Sequence, residues 1–198
     1  MAEIANSSRE TKAQIIRIAA HLFALKGYDG VSMREISEKT GVTKPTIYYY
    51  FGNKEGLYRA LIDLGLKNGD VELEEIFASD LPLKEKLKKI LFSRFQLAKL
   101  YPDVSRFFIR RLTAWEPLPF QEEIDDYQRH NRLRTETLIR QGIESGELGP
   151  QVNPVLATDI FAGILMHFIR RLANGEEKHP IEWLTHELVE LYFRGLNE

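Results

Sequence analysis

The sequence predicts an all-α protein of about nine helices: an N-terminal three-helix head carrying a helix-turn-helix, joined to a C-terminal helical bundle. Three observations carry this. Apolar residues recur at intervals of three and four along nearly the whole chain, as on helices with a buried face. No run alternates apolar and polar residues over the length of a half-buried strand. Capping residues and helix-ending glycines or prolines fall at the joints of the apolar pattern.

The elements follow in order. Ser7-x-x-Glu10 has the form of a capping box, and Ile15, Ile18, Ala19, Leu22 and Phe23 continue at helical spacing until Gly27. Ser32-x-x-Glu35 opens a short second helix that stops before Gly41. Thr43 caps a third, with Pro45 tolerated in a first turn that needs no internal donor. Asn53 starts a fourth, running through Leu57, Leu61 and Leu64 to about Phe77. A fifth spans roughly 83–100 and stops at "YPD"; a sixth covers about 103–114, before Pro117 and Pro119 break the chain. A long polar seventh helix runs to Ser145, where Gly146 and Gly149 end it. The eighth runs from about Pro154 to Ala173 and the ninth from Pro180 to Leu196. There is no internal repeat, low-complexity tract or flexible linker. The expected division is a helix-turn-helix head over 1–52 and a helical body over 53–198.

Composition narrows the function. The chain has no cysteine, which excludes disulfides, thiol catalysis and cysteine-bound zinc and fits a reducing cytoplasm. No signal-peptide pattern opens it. The most apolar stretch, "NPVLATDIFAGILMHFIRR", includes Asp159 and His167, so it reads as a buried helix and no membrane partner is expected. The five histidines are scattered, with no H-x-x-x-H or H-E-x-x-H spacing. There is no G-x-S-x-G elbow and no phosphate-cradling glycine loop. No enzyme activity, catalytic residue, metal or cofactor is expected. Residues 1–60 hold nine Lys or Arg against six Asp or Glu, inside a chain of net charge −2. A basic head on an acidic body points to a local polyanion site.

The stretch "GVTKPTIYYYFGNKEG" at 41–56 sharpens that pointer. With Ile47 facing the core and about 100° between residues, Phe51 and Tyr50 fall on the packing side. Tyr48 falls on the flank, and Pro45 and Tyr49 point outward. Lys44 and Thr46 lie on opposite flanks. Two short helices joined at Gly41 match the helix-turn-helix, whose second helix enters the major groove with its N-terminal residues against base edges. Hydroxyls of Thr and Tyr can donate to phosphates, and Pro and Tyr faces can meet thymine methyls. Arg34 can reach a guanine edge or phosphate, and Lys54 sits at a helix N-terminus that already favours an anion. The DNA-contact set is Arg34, Thr43, Lys44, Pro45, Thr46, Tyr48, Tyr49 and Lys54.

Across roughly residues 8–60, and in "SMREISEKTGVTKPTIYYYFGNKEGLY" above all, the head resembles that of the tetracycline-repressor (TetR) family. The resemblance implies an all-helical homodimeric repressor with an inducer pocket in its C-terminal bundle. It implies groove contacts from Arg34, Lys44, Pro45, Thr46, Tyr48 and Tyr49, and a phosphate contact from Lys54. One departure is Gly56, where the family often has an acidic residue completing a capping box; this loosens the expected start of the fourth helix.

In the body, the eighth helix is apolar nearly all round and the ninth nearly so, which means burial on more than one side. The resemblance implies that they pair across a two-fold, with Phe161, Leu165, Phe168, Trp183, Leu188 and Tyr192 at the dimer interface. Phe108, Arg111, Trp115, Phe120, Tyr127, Phe161 and His167 form the candidate ligand set, aromatic with a few polar groups. His167 reads first as a satisfied buried histidine. Arg110 and Arg111 either face a cavity, which implies an anionic ligand, or lie on the surface. The expected function is a ligand-responsive dimeric repressor binding a palindromic operator in double-stranded DNA, with a small-molecule inducer. The alternatives are a helical small-molecule-binding protein without specific DNA binding, and a DNA-binding activator.

Overall fold

The computed structural model describes residues 2–113 and 118–197, with side-chain surroundings for 8–66, 71–112 and 118–197. Among these residues the structure is all-helical: α1 Ala2–Lys26, α2 Met33–Thr40, α3 Lys44–Phe51, α4 Lys54–Ala78, α5 Leu83–Leu100, α6 Pro102–Thr113, α7 Gln121–Glu144, α8 Pro154–Ala173 and α9 Ile181–Asn197. No described helix is long and apolar enough to cross a membrane.

The start of α1 differs from the sequence expectation. The helix begins at Ala2, so Ser7 lies inside it and does not cap it. No glycine or proline precedes Ser7, and Ala2, Glu3 and Ala5 favour helix, so nothing stops the helix from continuing upstream. The other caps form as their residues dictate. The Ser32 hydroxyl accepts from the Glu35 amide at 3.1 Å, and the Glu35 carboxylate pairs with Lys26 at 2.5 Å. Asn153 caps α8 by accepting from the amides of Val155 and Leu156 at 3.0 and 3.2 Å. Pro82, before α5, has no side-chain acceptor to offer. Its place is taken from 64 residues away: the Glu147 carboxylate accepts from the amides of Leu83 at 2.9 Å and Lys84 at 3.4 Å. An anion at a helix N-terminus satisfies orphan donors and complements the dipole.

The chain forms two compact units, Met1–Leu66 with Asp103–Gln121, and Lys67–Pro102 with Glu122–Glu198. The first contains α1, α2, α3, the first half of α4 and nearly all of α6. Its centre is aromatic: Tyr58 meets Phe23 edge-on at 4.9 Å and Phe107 at 5.2 Å. Burial pushes the Tyr58 phenol up to about 12. Around this cluster α6 is fastened to α1 at two places. Arg110 donates to the Ala24 and Leu25 carbonyls, both at 3.3 Å, supplying a cation to the C-terminal end of α1. Asp103 accepts from Arg106 at 2.6 Å and shares a hydrogen bond of 2.8 Å with His21. Burial pushes the Asp103 carboxyl up, but the hydrogen bonds from Arg106 and His21 outweigh it and leave it below its ordinary value.

In the second unit α5 packs on α8 and α9 around Leu87, Leu91, Phe95, Phe161, Leu184 and Tyr192. The Tyr192 hydroxyl donates to the Ala157 carbonyl at 2.8 Å, fixing α9 on α8. Between these helices Glu177, its side chain 4% exposed, accepts from the amides of Lys178 and His179, pairs with the His179 ring at 2.7 Å and faces Arg171.

Candidate DNA-binding surface

The surface is built on a stiff turn. Gly41 adopts φ 68°, the left-handed region that glycine enters without a side-chain penalty. Around it Ser37 donates to the Val42 carbonyl at 2.7 Å, and Thr40 donates to Ile36 at 2.7 Å and accepts from the Val42 amide at 3.2 Å. Gln14 of α1 donates to the Thr40 carbonyl at 3.0 Å, tying the turn to the rest of the head. The α2–α3 angle is thus set by hydrogen bonds as well as by the buried Ile36 and Ile47.

On α3 the expected phase holds. Ile47 and Phe51 are buried, and Tyr50 is half-buried. Tyr48 is 44% exposed and Tyr49 84%. Lys44 and Pro45 are exposed as well. The Tyr49 ring buries only part of its surface against protein, edge-on to Tyr50 at 5.4 Å. Thr43 caps α3, accepting from the Thr46 amide at 3.4 Å, and the two threonine hydroxyls share a hydrogen bond of 2.8 Å. Two hydroxyls spend one proton between them, so the pair retains a donor to offer. The third tyrosine serves the scaffold, because the Tyr50 hydroxyl and Ser8 share a 2.9 Å hydrogen bond that pins α1 beside α3.

The two flanking cations are not idle in the free protein. Arg34 pairs with Glu38 one turn on, at 2.7 Å. The hydrogen bond to Arg34, then its charge, holds the Glu38 carboxyl below its ordinary value. The i, i+4 spacing could have revealed this pair. The Lys54 ammonium sits 4.3 Å from the centroid of the Tyr28 ring, which steadies it at the N-terminal end of α4. Gly56 has a role that its sequence context did not reveal. A Cβ there would lie 2.0 Å from the Phe51 carbonyl oxygen, so glycine lets α4 begin close behind the end of α3. Asn53 caps that start, accepting from the Gly56 amide at 2.7 Å.

Residues 15–61 match the family described as bacterial regulatory proteins, tetR family. Over this head the chain is similar to the TetR family. Along most of its length it is also similar to the fatty acid metabolism regulator protein of Bacillus subtilis (strain 168), 24% identical over 185 residues, covering 93% of this chain and 94% of that one. Two solved structures share the fold. One is the regulator FadR from Bacillus subtilis in complex with stearoyl-CoA (TM-score 0.70, 24% identity, 92% of this chain and 98% of that one). The other is AibR in complex with isovaleryl coenzyme A and operator DNA (TM-score 0.73, 21% identity, 92% and 98%).

The remaining candidates fall in the two units. In the first unit Phe108 is half-buried against Gly65 and edge-on to Phe107 at 5.2 Å. Arg111 is 2% exposed, so it is not a surface residue; it donates to the Pro119 carbonyl at 2.7 Å and lies 5.8 Å from the Tyr58 ring. Phe120 takes φ 61°, unusual for a bulky residue, with the Arg59 guanidinium 4.8 Å from its ring. Trp115 lies outside the described residues. In the second unit Tyr127 accepts from Arg94 at 3.5 Å. Phe161 is buried against Tyr192. His167 is exposed, which corrects the expectation of a buried histidine; it lies about 120° around α8 from Phe161, edge-on to Phe168.

The residues expected at a dimer interface differ in exposure. Phe161 and Tyr192 are spent in the core of their own chain. Leu165, Phe168 and Leu188 are half-buried, and Trp183 is 47% exposed. The open apolar side chains of α8 and α9 are Val155, Leu156, Ile160, Trp183 and Leu191.

Proposed function

We propose that this protein is a homodimeric transcriptional repressor that binds a palindromic operator and is released from it by an acyl-CoA thioester. The observation that carries the DNA-binding half is the row of open side chains on a rigidly held α3, Lys44, Pro45, Tyr48 and Tyr49. Each good contact from such a helix is worth about 1–3 kcal/mol of discrimination between bases. The exposed Leu156, Ile160, Trp183 and Leu191 on α8 and α9 support a two-fold pairing of chains. Two subunits then offer two recognition helices to two half-sites. The ligand class rests on the relatives, one named for fatty acid metabolism and two captured with acyl-CoA thioesters. The ligand would act by favouring a head spacing that the operator does not, since only unequal affinity for two states shifts their balance. The helix α4 begins at Lys54 in the first unit and ends at Ala78 in the second.

The test is selection of bound duplexes from a random pool, alongside a Tyr48→Phe, Lys54→Ala variant, followed by competition with stearoyl-CoA, isovaleryl-CoA and free coenzyme A. An enriched palindrome that the variant loses, and that an acyl-CoA but not free coenzyme A releases, is the expected result. No enrichment would overturn the DNA reading. Enrichment without release by either thioester would overturn the ligand class alone.

A further inference from the structure

The DNA-binding reading leaves unexplained a basic stretch at the start of α1, upstream of the 15–61 segment shared with the family. Arg9 and Lys12 are both exposed. They fall about 60° apart around the helix, whereas Glu10 points about 160° away from Lys12. Their position relative to the recognition helix is fixed by two contacts. Ser8 shares its hydrogen bond with the Tyr50 hydroxyl at 2.9 Å. The Lys12 ammonium lies 5.8 Å from the centroid of the Phe51 ring. Tyr50 in turn meets the open Tyr49 ring edge-on at 5.4 Å. A chain of contacts therefore runs from the outward face of α3 to these two cations.

A helix with its side chains is about 10–12 Å across, and the major groove is about 12 Å wide. The recognition helix therefore fills the groove, and an element docked against its C-terminal end faces the phosphate rim. We propose that the start of α1 is a second DNA contact, in which Arg9 and Lys12 bind backbone phosphates beside the half-site and the Ser8–Tyr50 bond holds them there. This rests on the DNA-binding reading above and adds an affinity element that carries no base preference.

The experiment is a fluorescence-anisotropy titration of the selected operator over a series of salt concentrations. It compares the wild-type chain with Arg9→Ala/Lys12→Ala, Arg9→Lys/Lys12→Arg and Lys44→Ala, each first shown by circular dichroism to be folded. Each lost phosphate contact lowers the log–log salt slope by about 0.9. The double alanine variant should thus bind with a slope shallower by about 2 per subunit while ranking operator variants as the wild type does. The charge-keeping variant should retain the wild-type slope. An unchanged slope in the alanine variant overturns the inference, even if affinity falls. A changed ranking also overturns it, because the residues would then be reading bases. A wild-type chain that binds no DNA while all variants are folded overturns the DNA reading and this inference together, whereas an unchanged slope in a chain that binds overturns this inference alone.

Discussion

Replacing Gly65 by alanine in the first half of α4 sets two effects against each other. Glycine inside a helix costs about 1 kcal/mol relative to alanine, so the substitution taken alone should stabilise. Here the added Cβ would lie 2.0 Å from both Cε2 and Cζ of Phe108 and 3.0 Å from Cδ2. Carbon atoms in contact settle at about 3.5–4.0 Å, so the ring must retreat by roughly 1.5–2 Å. It is not free to do so without loss, since Phe107 meets its edge at 5.2 Å and is itself held against Tyr58. Overpacking of this kind costs about 1–3 kcal/mol. The expected outcome is a net destabilisation of about 0–2 kcal/mol, which at roughly 2–4 °C per kcal/mol for a chain this long lowers Tm by up to about 8 °C. The assay is thermal and urea unfolding of the wild type, Gly65→Ala, Phe108→Ala and the double variant. With the ring removed, the alanine should recover its helix gain, giving a coupling of about 1–3 kcal/mol. A Gly65→Ala protein more stable than wild type, with no coupling to Phe108, would refute the reasoning.

Other outcomes can be checked alongside. Glu147→Ala should cost about 1–2 kcal/mol in urea unfolding, because the N-terminus of α5 loses its carboxylate cap, and Glu147→Gln should cost less because its amide oxygen still accepts. Glu177 is held at about 2, against an ordinary 4.5, first by the His179 amide, then by the His179 ring. A depressed native pKa contributes stability that is complete above about pH 4.5 and lost as pH falls toward 2. Glu177→Gln should therefore be destabilised near neutrality by about 1–2 kcal/mol, with the gap to wild type closing between pH 4.5 and 2; a gap independent of pH would sink this account.

What the sequence disclosed was whatever is settled within a few residues. The caps at Ser32, Thr43 and Asn53 and the outward phase of Tyr48 and Tyr49 are local, and all can be read from spacing. Ser7 misled because a capping pattern ends a helix only where the preceding residues cannot continue it, and Ala2, Glu3 and Ala5 can. In α8 the difficulty was of another kind. A helix apolar on every side carries no phase, so which of Phe161 and Ile160 faced inward was settled by the packing of Ala157, Tyr192 and α5. The cap that Glu147 gives α5, the clasp of Arg110 on α1 and the seat of Phe108 on Gly65 join residues tens of positions apart, and neither partner alone announces the other.

The grouping of α6 with the head bears on how such proteins can be recombined. Phe107 completes the ring cluster of Phe23 and Tyr58, and Arg110 closes the end of α1. A fragment ending at Leu66 would leave those rings and carbonyls to water. Nor can a head be exchanged between relatives by a single crossover: the incoming segment must bring its own 103–121 or meet a foreign α6. In this chain the unit that carries the helix-turn-helix is drawn from two separate segments, and substitutions on α6 are constrained by the head against which they fold.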